Sequence, residues 1–418
     1  MKPKKTDKTS IFIILFFCSL VSTNLYLINN MNINFENSPQ KSIEKFDKLK
    51  QSNQWTLPNI YITNWSMANS TYDWCNYKDG YYIIENVSIT GVGGINGIHI
   101  ENTTENFIIR NCQINEGVQL MRTESGELVN NTIYFGYYFY GGLSDEIGIA
   151  MNNCSNIIVR DNHLNDTYDE TYHEIHGFLI YNCNNITIEE NSLSLQDASD
   201  LRASQGLSVQ ETQGNNNIEI VNNTIYRFEL GIYFDSNVSG CNLMQNQIYN
   251  SRIGLVIYGN NHVILNNIVK NCTQWSVFLG GSNNKLFGNK ISEAESGIRT
   301  SNANYNHIDS NTIQDVSEHG MHFIDCKYNN ITNNNIQRAG EVGIYLDTCN
   351  HTIINGNFLT YNLLCIVEID CYGNIIENNT CIQIPTIIGY YPALFIGILL
   401  MTTLLIIRFK FRKSEQIK

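Results

Sequence analysis

Positive charge is what this chain has least of. Half of its 26 Lys and Arg lie outside residues 51–384, and inside that region 34 acidic side chains face 13 basic ones, a balance of −21 against −13 for all 418 residues. Such a surface repels phosphate backbones, which excludes nucleic acid as a partner and suits divalent cations, neutral sugars or basic partners. Zinc-type spacing is missing too: the 12 cysteines include no CxxC pair and no Cys/His ligand spacing. Lys is scarce, whereas Asn, Ile, Tyr and Phe are plentiful, which argues against both a disordered chain and an ordinary helical protein. Asn and Gly favour turns, and Ile, Val, Tyr and Phe favour strands.

Long apolar runs occur only near the two ends. Residues 387–407 form an uncharged, mostly apolar stretch of 21 residues, long enough to cross a hydrocarbon core of roughly 30 Å as a helix. Arg408, Lys410, Arg412 and Lys413 follow it, and a basic flank tends to stay in the cytoplasm, which leaves the body of the chain outside. At the start, Lys2, Lys4, Lys5 and Lys8 precede the apolar stretch 11–28. This is the order of a secretory signal, or, if uncleaved, of a second anchor with the same topology. The expected division is therefore a signal or anchor (1–28), a polar spacer (29–54), an ectodomain (55–384), a transmembrane helix (385–407) and a basic tail (408–418). Fourteen Asn-x-Ser/Thr sequons, among them Asn64, Asn102, Asn185, Asn271 and Asn350, are compatible with a glycosylated exterior.

Between the ends the chain repeats. A small residue followed by alternating apolar residues recurs at Gly97, Gly117, Gly148, Gly177, Gly206, Gly231, Gly254, Ser276, Gly297, Gly320, Gly343 and Cys365, with intervals of 23, 22, 21, 23, 23 and 22 from Gly231 onward. Short period-two strands linked by polar turns cannot fill a helical hairpin of that length. A chain that winds once per repeat pairs each strand with its equivalent one coil later, so the sequence predicts an all-β, single-stranded, right-handed parallel β-helix of about 12–13 coils, roughly 55 Å long at about 4.8 Å per coil.

Two further columns follow from that alignment. Asn131, Asn162, Asn191, Asn223, Asn246, Asn267, Asn289, Asn311, Asn334, Asn357 and Asn379 share one register, and stacked amides hydrogen-bond from coil to coil while Asn also tolerates left-handed backbone angles. Cys154 and Cys183 share another register, as do Cys326, Cys349 and Cys371. These are stacked thiols or, for 154 with 183, a disulfide, since the coil spacing permits one.

The segments 320–336 and 343–359 resemble the parallel β-helix repeats of the NosD-like and pectate-lyase-like superfamily, over roughly residues 81–381. The stretch Tyr72-Asp73-Trp74-Cys75 and then Gly80-Tyr81-Tyr82-Ile83-Ile84-Glu85-Asn86 is similar to the start of membrane-anchored β-helix surface proteins of archaea. This resemblance implies fold strongly and function weakly, because the superfamily holds lyases, hydrolases, epimerases, adhesins and periplasmic accessory proteins. The pectin hydrolases place several Asp residues on adjacent coils, whereas Asp235 and Asp347 here are five coils apart. The Asp-Pro-His-Asp motif of alginate-type epimerases is absent, and the 9 His and 8 Met do not form the clusters that copper handling would favour.

Two places are expected to carry chemistry. Residues two and four places after each coil start point outward, giving a substrate-binding grid of Tyr181, Tyr233, Asp235, Tyr258, Phe278, Arg299, His322, Tyr345 and Asp347. Rings with interspersed carboxylates suit a saccharide, although outward side chains also simply stack along a sheet. The three coils from Gly117 are lengthened to 31, 29 and 29 residues, and their extra residues gather along one edge. There Asp145, Glu146, Asp169, Glu170 and Glu174 are candidate metal ligands, for Ca2+ among others, and His173, His176, Asp197, Asp200 and Arg202 are candidate catalytic groups. Solvated loops are rich in such residues as well, but loops on a rigid scaffold are where sites usually lie. The lyases of the superfamily pair calcium carboxylates with a basic residue, a role that Arg202 beside Asp197 and Asp200 would imitate. The function expected is that of a membrane-anchored surface protein that binds or processes a polysaccharide or surface glycan; the alternative is a non-catalytic adhesin or envelope protein.

Overall fold

The computed structural model describes residues 55–91, 96–140, 143–165, 174–195, 204–210 and 217–383. Among these the chain forms one short helix and forty-one strands, which stack into three parallel sheets apart from two strands, Cys75–Lys78 and Gly136–Tyr140, that pair antiparallel.

Each coil contributes one strand to each sheet. The first sheet runs from Trp55–Leu57 to Thr380–Gln383, the second from Ile60–Ile62 to Leu364–Ile369, and the third from Tyr81–Glu85 to Ile375–Glu377. All twelve coil starts lie in one register: the residues just after them pair in the order Ile98, Val118, Ile149, Phe178, Leu207, Ile232, Leu255, Val277, Ile298, Met321, Ile344 and Ile366. Ile60 pairs with Ile98 and adds a thirteenth coil ahead of them. The core is the column of inward apolar side chains, Ile above all, and it runs unbroken from Ile60 to Cys365.

Glycine marks most coil starts for a steric reason; among them Gly117 alone also has a left-handed φ, of 65°. A Cβ on Gly231 would sit 2.5 Å from the carbonyl oxygen of Gly254 and 2.5 Å from the Cγ2 of Ile248 on the first sheet, so a side chain there points straight across the narrow interior.

The asparagine column is a continuous hydrogen-bond ladder. From Asn162 on, each Oδ1 accepts both the backbone N–H and the side-chain amide of the Asn one coil earlier, at 2.9–3.0 Å, and that of Asn131 accepts the Cys112 N–H. Each Nδ2 also donates to a carbonyl of the preceding coil. The expectation that these Asn use their tolerance of left-handed angles needs correcting. None of the eleven has a positive φ; the residue before each one does, from Asn130 through Asn266 to Asn378, with φ of 52–69°. The corner turns on the preceding residue, and the amide is then free to fill the interior.

A second ladder lies in another turn, where Cys241, His262, Asn284, Asn306 and Asn329 connect backbone N–H to the next side chain at 2.8–3.2 Å. The cysteine columns work in the same way: the Cys183 sulfur accepts the backbone N–H of Cys154, and Cys349 and Cys371 serve Cys326 and Cys349. All five remain thiols. Instead, Cys365 is bonded to Cys381, with Cα atoms 5.9 Å apart. Cys365 occupies a coil-start position, whose side chain points across the interior toward the first sheet, where Cys381 follows Leu359 in register.

His262 has no exposed surface, and burial pushes its pKa down to about 4. The unfolded chain therefore binds a proton that the folded one refuses between about pH 6.5 and 4, and stability falls as pH falls through that window, by about 3 kcal/mol at its acid limit. His262→Asn places in this coil the residue that the next three coils use. It is expected to fold and to lose that part of the pH dependence. Denaturant titrations of both proteins at pH 7 and pH 4.5 check this, and identical pH slopes would rule it out.

The two ends differ. Helix α1 (Trp65–Thr71), capped by the Asn64 side chain accepting from the Met67 N–H at 2.8 Å, lies over the N-terminal coils. Its Trp65 is fully buried and stacks on Phe107 and Tyr82 at 5.1 and 5.6 Å. Next to it, the antiparallel strands Cys75–Lys78 and Tyr81–Glu85 turn through Asp79 and Gly80, both left-handed with φ of 55° and 89°; the paired positive angles suit the twist of a tight hairpin. No comparable cap covers the last coil among the described residues. No described helix is long and apolar enough to cross a membrane; residues 385–407 lie outside the described residues, as do 1–54.

Candidate functional site

The outward face of the second sheet carries the expected grid. Tyr233, Val256, Phe278, Arg299, His322 and Tyr345 follow one another in register across six coils, and Tyr181 and Asp347 lie on the neighbouring outward column. All nine predicted residues are half-buried except Tyr258, which is exposed.

Side-chain geometry divides the grid into two groups. The aromatic group holds Tyr233, Tyr258 and Phe278, with ring centroids 6.1 and 5.4 Å apart, and Trp275 stacks on Phe278 at 5.3 Å. The Arg299 guanidinium lies 4.8 Å from the Trp275 ring, which holds a cation against the strip. The imidazole group follows two coils on: His319 stacks on Tyr345 at 5.0 Å, and His322 meets both at 4.9 Å. Glu341 lies 3.6 Å from the Nε2 of His319.

Trp275 and His319 are absent from the predicted grid. Both immediately precede a coil start, and counting outward positions by twos from that start skips them. The start and the residue after it both face inward, so the positions on either side of that pair both face outward. An inward Gly followed by an inward apolar residue was the available signal. One place further back runs a column of Glu229, Arg252, Gln274, Glu295, Glu318 and Glu341, in which each residue from Gln274 on donates its backbone N–H to the carbonyl of the one before. Arg252 bridges Glu229 at 2.6 Å and donates to Gln274 at 2.6 Å. Past Gln274 the column is all carboxylate, and partial burial together with the neighbouring Glu318 raises the Glu295 pKa.

Electrostatics keep both imidazoles neutral near pH 7. Burial pushes His322 down to about 4, with the Arg299 charge acting the same way, and burial lowers His319 despite Glu341. The Nδ1 atoms of both are shielded from solvent without a hydrogen-bond partner among the described residues. The face therefore presents flat rings, a guanidinium, two neutral imidazoles and a row of carboxylates. Such groups can stack on a sugar, bond its hydroxyls and exchange a proton.

The lengthened coils supply the second place. The strand Gly136–Tyr140 folds back antiparallel on Leu143–Asn152 and pairs Tyr138 with Asp145. Glu146 pairs with Ile175, which carries the edge onto the strand Ile175–Tyr181. Asp145, Glu174 and His176 converge there, their ligand atoms all within 4.8 Å of one another. His176 is only 2% exposed, and its Nε2 lies 3.6 Å from Glu174, whose carboxyl pKa is lowered chiefly by its hydrogen bond with His176. Glu146, also expected as a ligand, is buried and does not belong to this group of atoms. Two carboxylates and an imidazole are a donor set for a divalent cation. The other predicted edge residues, Asp169, Glu170, His173, Asp197, Asp200 and Arg202, lie outside the described residues.

Comparisons with known proteins give fold rather than activity. The profile of the NosD family, described as periplasmic copper-binding protein, matches residues 202–338. Searched against proteins of curated function, the sequence finds no match. Two mutant forms of a periplasmic alginate epimerase superpose with TM-scores of 0.54 and 0.51 at 12% identity, covering 78% of this chain and 84% of theirs. The Dettilon tailspike protein gives a TM-score of 0.46 at 14% identity, covering 67% of this chain and 56% of its own. With three parallel sheets in continuous register, the NosD-family match and the two epimerase superpositions, the chain is a right-handed parallel β-helix.

Proposed function

We propose that this protein is a surface-displayed β-helix that binds a polysaccharide lengthwise on the outer face of its second sheet, anchored in the membrane by residues 387–407. One observation carries the reading: the strip from Tyr233 through Trp275 and Arg299 to Tyr345, with rings and a cation at coil spacing, is longer than any single small ligand would need. The acidic balance of the ectodomain disfavours polyanions in general, so the ligand is a neutral glycan or a polyuronide bridged by cations. The alginate named for two of its structural neighbours supports the second choice, with Arg299 facing a carboxylate and Asp145, Glu174 and His176 holding a divalent cation. Neutral His322 and His319 would be the proton-transferring groups if the bound chain is also cleaved or epimerised.

Trp275→Ala is expected to weaken glycan binding by roughly thirtyfold, the effect of truncating a central aromatic anchor at about 2 kcal/mol. The assay is a titration of the full-length protein in detergent against neutral and uronate oligosaccharides, with and without calcium and with product analysis. Calcium-dependent binding that Asp145→Asn abolishes would support the cation at the edge. Products lost in His322→Gln would mark an enzyme, and binding without products an adhesin. Equal affinity of wild type and Trp275→Ala for every glycan would remove the strip as the binding face.

A further inference from the structure

The described residues hold seventeen exposed large apolar or aromatic side chains, and ten of them lie between residues 353 and 382. They do not gather on one side. Phe358 and Ile382 belong to the first sheet, Leu364 and Ile369 to the second, Ile353 and Ile375 to the third, and Tyr361 and Tyr372 lie at strand ends and turns. The last two coils thus wear an apolar girdle on all three faces.

Their registers show which outward columns carry the exposed apolar residues at this end. On the third sheet the outward column reads Lys285, His307, Asn330 and then Ile353 and Ile375. On the second, Asp347 is followed by Ile369. On the first, Lys290, Thr312 and Asn335 are followed by Phe358. Apolar residues also stand in these columns higher up, at Val263, Ile268 and Ile324, but there they are half-buried; exposed apolar side chains gather on all three sheets in the last two coils.

At the opposite end α1 and Trp65 close the core; here Ile376, in the inward register of Ile354, is left 41% exposed. The last described strand ends at Gln383, and the apolar run begins at residue 387. The intervening residues span at most about 10–14 Å, little more than the roughly 5–8 Å of headgroup region on each side of the hydrocarbon core.

We propose that the end coil is seated in the lipid headgroup interface, with the girdle of Ile353, Phe358, Ile369, Tyr372, Ile375 and Ile382 immersed and the rod standing upright on the bilayer. Tyrosine is a residue type that such a boundary takes up, and isoleucine one that the adjoining hydrocarbon accepts. The bilayer covers the end that no described helix covers, and the ligand-binding strip is held away from the membrane at a fixed height. The acidic Glu368, Asp370 and Glu377 of the same coil select a zwitterionic surface over an anionic one. The proposal rests on residues 387–407 spanning the membrane, and its test separates the two ideas.

Full-length protein is reconstituted in phosphatidylcholine vesicles, and a tryptophan is added by Ile375→Trp, or at the far end by Tyr61→Trp. Resistance to alkaline extraction reports anchoring. Quenching by lipids brominated near the headgroup, with the four native tryptophans subtracted, reports seating. The expected result is resistance to extraction with about twofold quenching at position 375 and none at 61, as for a side chain lying at the headgroup–acyl boundary. Extraction into the supernatant would remove the anchor and the seat together. Resistance without quenching at 375 would leave the anchor and overturn the seat, as would equal quenching at both ends, the signature of a rod lying flat. A Phe358→Trp reporter is then compared with and without Ile369→Asp and Ile375→Asn, which copy residues that earlier coils carry at those positions. This variant should keep the β-sheet circular dichroism of its parent and lose the quenching; retained quenching in a folded variant would also overturn the proposal.

Discussion

Asn267→Leu is expected to be among the most damaging single changes to this fold, costing about 3–6 kcal/mol. Asn267 has no exposed surface. Its Oδ1 accepts the backbone N–H and the side-chain amide of Asn246 at 2.9 and 3.0 Å, and its own amide donates to the Leu243 carbonyl at 3.0 Å and to Asn289 at 3.0 Å. Leucine has similar volume and returns none of these bonds, so the Asn246 backbone N–H and one of its two side-chain N–H groups lose their acceptor, the other keeping the Ile220 carbonyl, and the Leu243 carbonyl and Asn289 each lose a donor, at about 1–3 kcal/mol for each buried group left unpaired. In a solenoid the loss is felt mainly by neighbouring coils, because each repeat is held by the ones beside it. Chemical denaturation followed by circular dichroism is the measurement, with Asn76→Leu on an exposed strand position as the comparison, expected within about 0.5 kcal/mol of wild type. If the two variants unfold together, the ladder contributes nothing beyond shape.

Trp65→Ala should cost a similar amount, about 3–5 kcal/mol for a buried aromatic, with a different spatial signature. Trp65 is the part of α1 that closes the N-terminal end, stacked on Phe107 and Tyr82. Its removal opens the end of the core to water, and the damage should spread inward from there. Hydrogen exchange is expected to speed up in the strands Ile60–Ile62, Ile98–Thr103 and Phe107–Arg110, while strands beyond Leu230 keep their protection. Uniform acceleration along the rod would show instead that the coils unfold as one unit and that the helix is no local cap.

Much of this architecture could be read without coordinates, and the reason lies in particular residues. The interval between Gly231 and Gly254 states the length of one winding, and once windings stack, spacing along the chain becomes contact between coils. That is why eleven asparagines scattered from 131 to 379 could be placed in one ladder, and Arg299 next to His322. The same logic misassigned the left-handed corner to the ladder Asn, because periodicity locates a turn without saying which of two adjacent residues bends it. It also missed Trp275 and His319, since the two adjacent inward residues at each coil start break the alternation that the count relied on.

By itself, then, the sequence determined the period, the stacking register and the inward or outward sense of most strand positions, because a parallel coil repeats its own geometry at every turn. Only the tertiary structure decided contacts made across a coil rather than along a column: the Cys365–Cys381 bond through the interior, the meeting of Asp145 with Glu174 and His176 beside a folded-back strand, and the separation of rings from imidazoles on the outer face. These depend on the direction of each side chain within one winding, a quantity that the repeat interval does not contain.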